Sequence, residues 1–234
     1  MDDATQQDSR SFEREQRILD AAFALITHYG YDKTTVDEIA REAGISKGAI
    51  YLHFKSKEAL FEALIMRESE SLSEQLMERV MADPEGGTIF AIYGHSLSAF
   101  AENPLLKALY TRDRRILGDL FRRISKDTMQ QQSFTFGVEF VEQMQAAGLV
   151  RKDIGANVIT YVLSSLRYGV LTVDDAIEIP DAPPIEEVSA VITDMLQRTF
   201  APEGGDSEAG KQAFMRLIEF GREIIRQRKA GRAE

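Results

Sequence analysis

Thr34-Thr35-Val36-Asp37-Glu38-Ile39-Ala40-Arg41-Glu42-Ala43-Gly44-Ile45-Ser46-Lys47-Gly48-Ala49-Ile50-Tyr51-Leu52-His53-Phe54-Lys55-Ser56-Lys57 is the stretch from which the rest of the chain can be read. Thr35 and Glu38 have the spacing of a capping box, in which hydroxyl and carboxylate each satisfy an amide at a helix start. Val36, Ile39, Ala40 and Ala43 then share one helical face. Gly44 stands where the chain must leave that helix, and glycine adopts the left-handed conformation such an exit needs. Ile45 plugs the turn. Ser46 can cap a second helix whose Ile50 and Phe54 point inward, while Lys47, Gly48, Ala49, Tyr51 and His53 point elsewhere. This is the pattern of a helix-turn-helix, whose second helix enters the major groove of DNA.

Such a hairpin cannot bury its apolar face alone, so a third helix is required. Ile18, Ala21, Ala22, Leu25 and Ile26 supply it, in a helix expected from about Ser11 to Tyr29 and ended by Gly30. Residues 1–9 read as a disordered tail, and residues 10–57 as the DNA-binding domain.

Charge supports the same reading locally. The chain of 234 residues has a net charge of −10, which argues against a generally basic surface. No Asp or Glu occurs between Glu42 and Glu58, a segment that holds Lys47, Lys55 and Lys57 together with His53. Phosphate neutralisation supplies much of DNA affinity, so an acid-free island in an acidic protein confines contact to one face.

The runs Ile18-Leu19-Asp20-Ala21-Ala22, Gly30-Tyr31, Thr34 to Ala40, Ala43 to Phe54 and Ser56-Lys57-Glu58-Ala59-Leu60 resemble the DNA-binding domain of the TetR family of transcriptional regulators. The resemblance covers about residues 12–66. It implies that Thr35 contacts phosphate and that Ser46, Lys47, Gly48 and Ala49 face the groove floor. It also implies that Tyr51 and His53 hold backbone phosphates, and that Lys57 does so from the start of the fourth helix. Each role suits its side chain. A phenol can donate to phosphate, and Lys57 follows the cap Ser56, where free amides and the helix dipole attract an anion. Gly48 permits close approach, and Lys47 can read guanine.

The remainder, residues 58–234, shows helical patterns and no strand series, so the fold class is all-α. A fourth helix is expected over 56–81, stopped by Asp83-Pro84-Glu85-Gly86-Gly87. A fifth is lined by Ile89, Phe90, Tyr93, Leu97 and Phe100, and a short sixth covers about 105–110. A long helical region spans about 112–147, with a break expected near 131–135. Helices over about 154–173 and 184–200 have broad apolar faces. The resemblance implies that they pair with their copies in a homodimer; burial within one subunit is the alternative. An amphipathic helix over about 210–228 is an addition to the usual layout, and it could cover the core or widen the dimer interface.

Enzymatic chemistry has no visible constellation. His28, His53 and His95 lack paired metal-ligand spacing, and there is no Gly-rich phosphate loop or GxSxG elbow. No cofactor or metal is expected. With no Cys, no signal peptide and no apolar run long enough for a membrane span, the location expected is the cytoplasm. A small-molecule effector cavity is implied for the C-terminal domain, with Tyr93, Phe100, Tyr110, Tyr161 and Tyr168 as candidate lining residues. Arg112, Arg114 and Arg115 could bind an anionic head, or simply be solvated. The partners expected are double-stranded operator DNA, a second copy of the chain and that effector. Repression released by an inducer is the usual outcome in the family. A ligand-independent regulator with a solid core is the first rival, a partner-binding helical protein the second, and a helical enzyme bearing a helix-turn-helix another.

Overall fold

A computed structural model describes residues 2–120, 128–202 and 207–230, and all regular structure among them is helical. The chain divides into two compact units, Met1–Ser69 with Pro104–Ile124, and Glu70–Asn103 with Ser125–Glu234. The division falls inside the fourth helix rather than at residue 57, and the first unit takes in a segment from the middle of the chain.

In the first unit, α1 (Asp2–Tyr29) begins well before Ser11, so its helical backbone continues through residues expected as a tail. Ile18, Ala22 and Ile26 on its stripe are fully buried. Burying an aliphatic side chain of the Leu or Ile type stabilises by about 1.5–3 kcal/mol, so these positions dominate the packing of α1. They pack on α2 (Val36–Glu42), which brings Ile39 and Ala40 to the same core. The exit from α2 is a Schellman motif: the Ile45 N–H donates to the Ala40 carbonyl and the Gly44 N–H to the Arg41 carbonyl, with Gly44 at φ +65°. α3 (Lys47–His53) follows, anchored by buried Ile50 and, just past its end, Phe54.

α4 (Lys57–Ala82) starts in this unit, where Leu60, Phe61 and Leu64 are fully buried. Phe61 meets Tyr31 edge to face at 5.1 Å. Arg67 of α4 donates to Asp20 of α1 at 2.6 Å and to Glu68 at 2.8 Å. Two short helices, α6 (Pro104–Thr111) and α7 (Arg114–Leu117), complete the unit and contribute buried Leu105, Leu106, Ala108 and Leu117. Their hold on the loop after α1 is polar. The Tyr31 N–H donates to the Ile116 carbonyl at 2.8 Å, and the Asp119 N–H donates to the Asp32 carboxylate at 3.0 and 3.1 Å.

The second unit contains α5 (Ile89–Glu102), α8 (Thr128–Ala146), α9 (Ala156–Ala176), α10 (Ile185–Phe200) and α11 (Ser207–Ala230), with the later half of α4. The region 112–147 is interrupted earlier than expected: Arg112 and Gly118 have positive φ, and the backbone of α8 is continuous through 131–135. Residues 121–127 of that expected helix lie outside the described residues. α5 packs most extensively on α10, where the Ser189 hydroxyl donates to the Gly94 carbonyl at 3.2 Å. α8 packs on α9 and on α11.

The added C-terminal helix covers the core of its unit. Its Phe214 is only 2% exposed and meets Phe140 of α8 at 6.4 Å between ring centres. Its start is pinned to the loop after α4: the Ser207 hydroxyl donates to the Pro84 carbonyl at 3.0 Å and accepts from the Gly87 N–H at 3.1 Å. A Cβ on Gly87 would lie 1.6 Å from the Ser207 carbonyl oxygen, and one on Gly210 would lie 1.8 Å from that of Gly87. Only two glycines allow the backbones to approach this closely.

Candidate functional site

The first candidate site is the face built around α3. Capping fixes where each helix begins. The Thr35 hydroxyl accepts from the Glu38 N–H at 3.2 Å, while the Thr35 N–H and O–H both donate to the Glu38 carboxylate at 2.8 Å. The hydroxyl expected on phosphate is therefore engaged inside the capping box. Those same bonds hold the Glu38 carboxyl below its ordinary pKa, the side-chain bond from Thr35 contributing most. Ser46 caps α3 by accepting from the Ala49 N–H at 3.2 Å.

With Ile50 and Phe54 buried, helical geometry turns the opposite side of α3 outward. Ser46, Lys47 and Gly48 are exposed, Ala49 is half-buried, and Tyr51 is 47% exposed. A Cβ on Gly48 would come no nearer to any atom than 3.9 Å, at Ser46 Oγ. Packing inside the fold does not demand glycine there. Leu52, at 83% exposure, is an outward apolar side chain that sequence reasoning passed over. Its position two residues after Ile50 was the available signal.

The acid-free island is not free of acids in three dimensions. Lys47 Nζ donates to Asp37 of α2 at 2.7 Å, and that bond raises its pKa. His53, with a side chain only 10% exposed, has Nδ1 3.9 Å from a Glu15 carboxylate oxygen of α1. Lys57 donates to the Tyr31 carbonyl and lies 4.0 Å above the Tyr31 ring. Burial lowers its pKa, opposed by the charges of Asp32, Glu58 and Glu38. Like Thr35, the expected phosphate or base contacts Lys47, His53 and Lys57 thus have protein partners in this structure. The partners come from elsewhere in the chain: Glu15 on α1, Asp37 on α2 and Tyr31 in the loop between them reach the same surface.

The second candidate site is a cavity of about 340 Å³ inside the second unit. α5 gives Ile92, Tyr93, Ser96 and Phe100 to its wall, α9 gives Thr160, Leu163 and Arg167, and α11 gives Phe214 and Leu217. Tyr93 is held with its hydroxyl donating to the Leu163 carbonyl at 3.1 Å. Of the five aromatics expected here, Tyr93 and Phe100 line the cavity. Tyr110 belongs to the other unit. Tyr161 and Tyr168 lie on the outward face of α9 and are 68% and 51% exposed. The stripe of α9 is broad enough that periodicity alone set its phase on the wrong side for these two. Arg167 and Phe214 are lining residues that sequence reasoning missed.

Other candidates resolve plainly. Arg115 pairs with Asp113 at 2.9 Å in the first unit, and this lowers the Asp113 pKa. His95 Nε2 lies 2.9 Å from an Asp83 carboxylate oxygen. Among the described residues there is no cluster of three or more His, Cys, Asp or Glu placed to hold a metal, and no helix long and apolar enough to cross a membrane. α9 and α10 each leave large apolar side chains in solvent: Val158, Tyr161 and Tyr168 on one, Val191 and Met195 on the other.

The family profile described as "Bacterial regulatory proteins, tetR family" matches residues 18–64. The A-factor receptor protein of Streptomyces griseus is 34% identical over 84 residues, which is 36% of this chain and 30% of that protein. The probable acrEF/envCD operon repressor of Escherichia coli is 28% identical over 152 residues, 64% of this chain and 59% of that protein. In each case the match spans less than two thirds of the relative. A solved structure of the transcriptional regulator FadR from Bacillus subtilis, in complex with stearoyl-CoA, is similar with a TM-score of 0.58 at 18% identity. That likeness covers 77% of this chain and 96% of that one, and it shows the fold.

Proposed function

We propose that the chain, whose residues 18–64 match the tetR family of bacterial regulatory proteins, is a member of that family and a homodimeric transcriptional repressor, released from a two-fold symmetric operator by a small molecule. The observation that carries the reading is the outward face of α3, where Ser46, Lys47, Gly48 and Tyr51 are exposed while Ile50 and Phe54 anchor the helix. Lys47 reads a base once it leaves Asp37. Gly48 and Ala49 let the helix close on the groove floor, and Thr35, Tyr51, His53 and Lys57 grip phosphates on either side.

Two copies are needed for a palindrome, with reading helices about 34–36 Å apart or a multiple of that. The apolar faces of α9 and α10 supply the dimer interface. α4 belongs to both units and contributes Leu76 to the cavity wall, so an occupant of the cavity acts on the helix that continues into the DNA-binding unit. Release requires the occupant to bind the misspaced state more tightly than the DNA-competent one. The cavity favours this reading over a ligand-independent regulator with a solid core. The protein works by binding rather than catalysis, in the cytoplasm where its DNA is.

The test is a titration of the dimer against the DNA upstream of its own gene and against random duplex, at several salt concentrations, read by fluorescence anisotropy. Preference for the upstream duplex is expected, with affinity falling linearly on a log–log salt scale. Equal binding to both duplexes defeats the repressor reading.

A further inference from the structure

Taking α3 as the helix that enters the major groove, we propose that Leu52 reads a thymine, by packing its isobutyl group against the C5-methyl group that thymine presents there. The inference rests on the DNA-binding reading and adds one specificity-determining residue, with the base that it selects.

Exposure and position carry it together. A single exposed leucine is ordinary on a protein surface, so exposure alone decides nothing. Leu52 is 83% exposed, the most of any large apolar side chain among the described residues. It does not anchor α3, which is held down by buried Ile50 and Phe54. At about 100° per residue, Leu52 lies roughly 200° round the helix from Ile50, on the side farthest from the core. The chain from 43 to 57 carries no Asp or Glu and exposes Lys47 and Lys55, which suits a polyanion against this face.

The outward face of α3 divides into two rows. Lys47 and Tyr51, four residues apart, form a polar row; Gly48 and Leu52, also four apart, form an apolar row beside it. Helical side chains lean toward the N-terminus, which sets Leu52 over the turn that holds Gly48. Gly48 brings no side chain of its own, and a Cβ there would meet nothing nearer than 3.9 Å, at Ser46 Oγ. A base edge can therefore reach the Leu52 side chain across that turn. Among the four bases only thymine carries a methyl group in the major groove, and an apolar side chain that covers it takes both apolar surfaces out of water. The polar row is suited to phosphates and hydrogen-bonding base edges, and the apolar row to this one group.

The test replaces thymine by deoxyuridine, which keeps base pairing and removes only the methyl group. Footprinting with the full-length protein first locates the bound site in the DNA upstream of its own gene. Each thymine of a half-site is then exchanged in turn, together with its symmetry mate, and affinity is read by fluorescence anisotropy. At one or two positions the exchange should weaken binding by roughly fourfold per half-site, the loss expected for one uncovered methyl group. Leu52→Ala should bind the thymine duplex more weakly by a similar factor and be indifferent to the exchange at those positions. Its salt slope should be unchanged, because no charge is lost. Its urea midpoint should not fall, because Leu52 is exposed and alanine favours a helix. Insensitivity of the unaltered protein to every exchange, or a half-site without thymine, overturns the assignment and leaves the DNA-binding reading standing. Sensitivity that persists in Leu52→Ala also overturns it and moves the methyl contact to another residue, such as Ala49. Absence of any preferred site in the upstream DNA ends both.

Discussion

The Asp37 carboxylate holds the Lys47 ammonium at 2.7 Å, so the lysine that we propose reads a base is tied to the neighbouring helix. Both side chains are exposed, so the pair adds little to stability. Its consequence is for binding. Asp37→Asn is expected to tighten binding to operator several-fold, because Lys47 no longer has to leave a carboxylate to reach its base. Lys47→Ala should relax specificity at one base pair by roughly tenfold. Anisotropy titrations at three salt concentrations check both. Unchanged operator affinity in Asp37→Asn means that the carboxylate does not restrain Lys47.

Gly48 separates folding from binding. Space around a Cβ there is open, and alanine is favoured over glycine inside a helix by about 0.5–1 kcal/mol. Gly48→Ala should unfold at equal or higher urea concentration, yet bind operator at least several-fold more weakly, because the methyl group meets the groove floor. Retention of full affinity would remove Gly48 from the interface.

Acid should weaken the cap of α2. Bonds from Thr35 hold the Glu38 carboxyl below its ordinary pKa, so the folded protein favours its charged form. A carboxylate with a lowered folded-state pKa contributes stability that is present above the unfolded value and lost as pH falls through the folded one. The difference in urea midpoint between the unaltered protein and Glu38→Ala should be clear at neutral pH and shrink below about pH 4. A difference independent of pH would show that the carboxylate charge plays no part.

The outward faces of α9 and α10 should carry dimerisation. Tyr161→Asp and Val191→Asp each place a charge among exposed apolar side chains. Sedimentation velocity is expected to show monomer at micromolar concentration, with a helical circular dichroism spectrum retained. Operator affinity should fall by at least a hundredfold, since the second half-site no longer binds as part of the same molecule. A dimer that survives both substitutions would place the interface elsewhere.

Gly87→Ala should be costly despite its loop position. The added methyl would meet the Ser207 carbonyl, so α11 must shift outward. Overpacking of this kind costs about 1–3 kcal/mol, measurable by urea unfolding. A neutral result would indicate that the start of α11 is loosely held.

Much of the DNA-binding unit could be read locally. Capping at Thr35 and Ser46, the turn at Gly44 and the inward positions Ile39, Ile50 and Phe54 depend on residues three to five apart, and such contacts are written in sequence spacing. The cavity was read only in part. Tyr93 and Phe100 were visible because α5 has a clear apolar stripe, while Tyr161 and Tyr168 were assigned to the wrong side of α9. A helix that is apolar on two faces has no single phase, and only its neighbours choose which face is inward. Arg167 escaped notice because a charge on such a helix reads as surface until Ser96 and two rings are seen around it.

By itself, then, the sequence determined an all-helical chain, the hairpin of residues 35–54 and the face it presents, because helix periodicity and capping act over one or two turns. Tertiary structure alone decided that Asp37 meets Lys47, that residues 104–124 belong with the DNA-binding unit, and that α11 walls the cavity. Each of those is a contact between segments far apart in the chain, and composition and spacing carry no record of which distant segments will pack together.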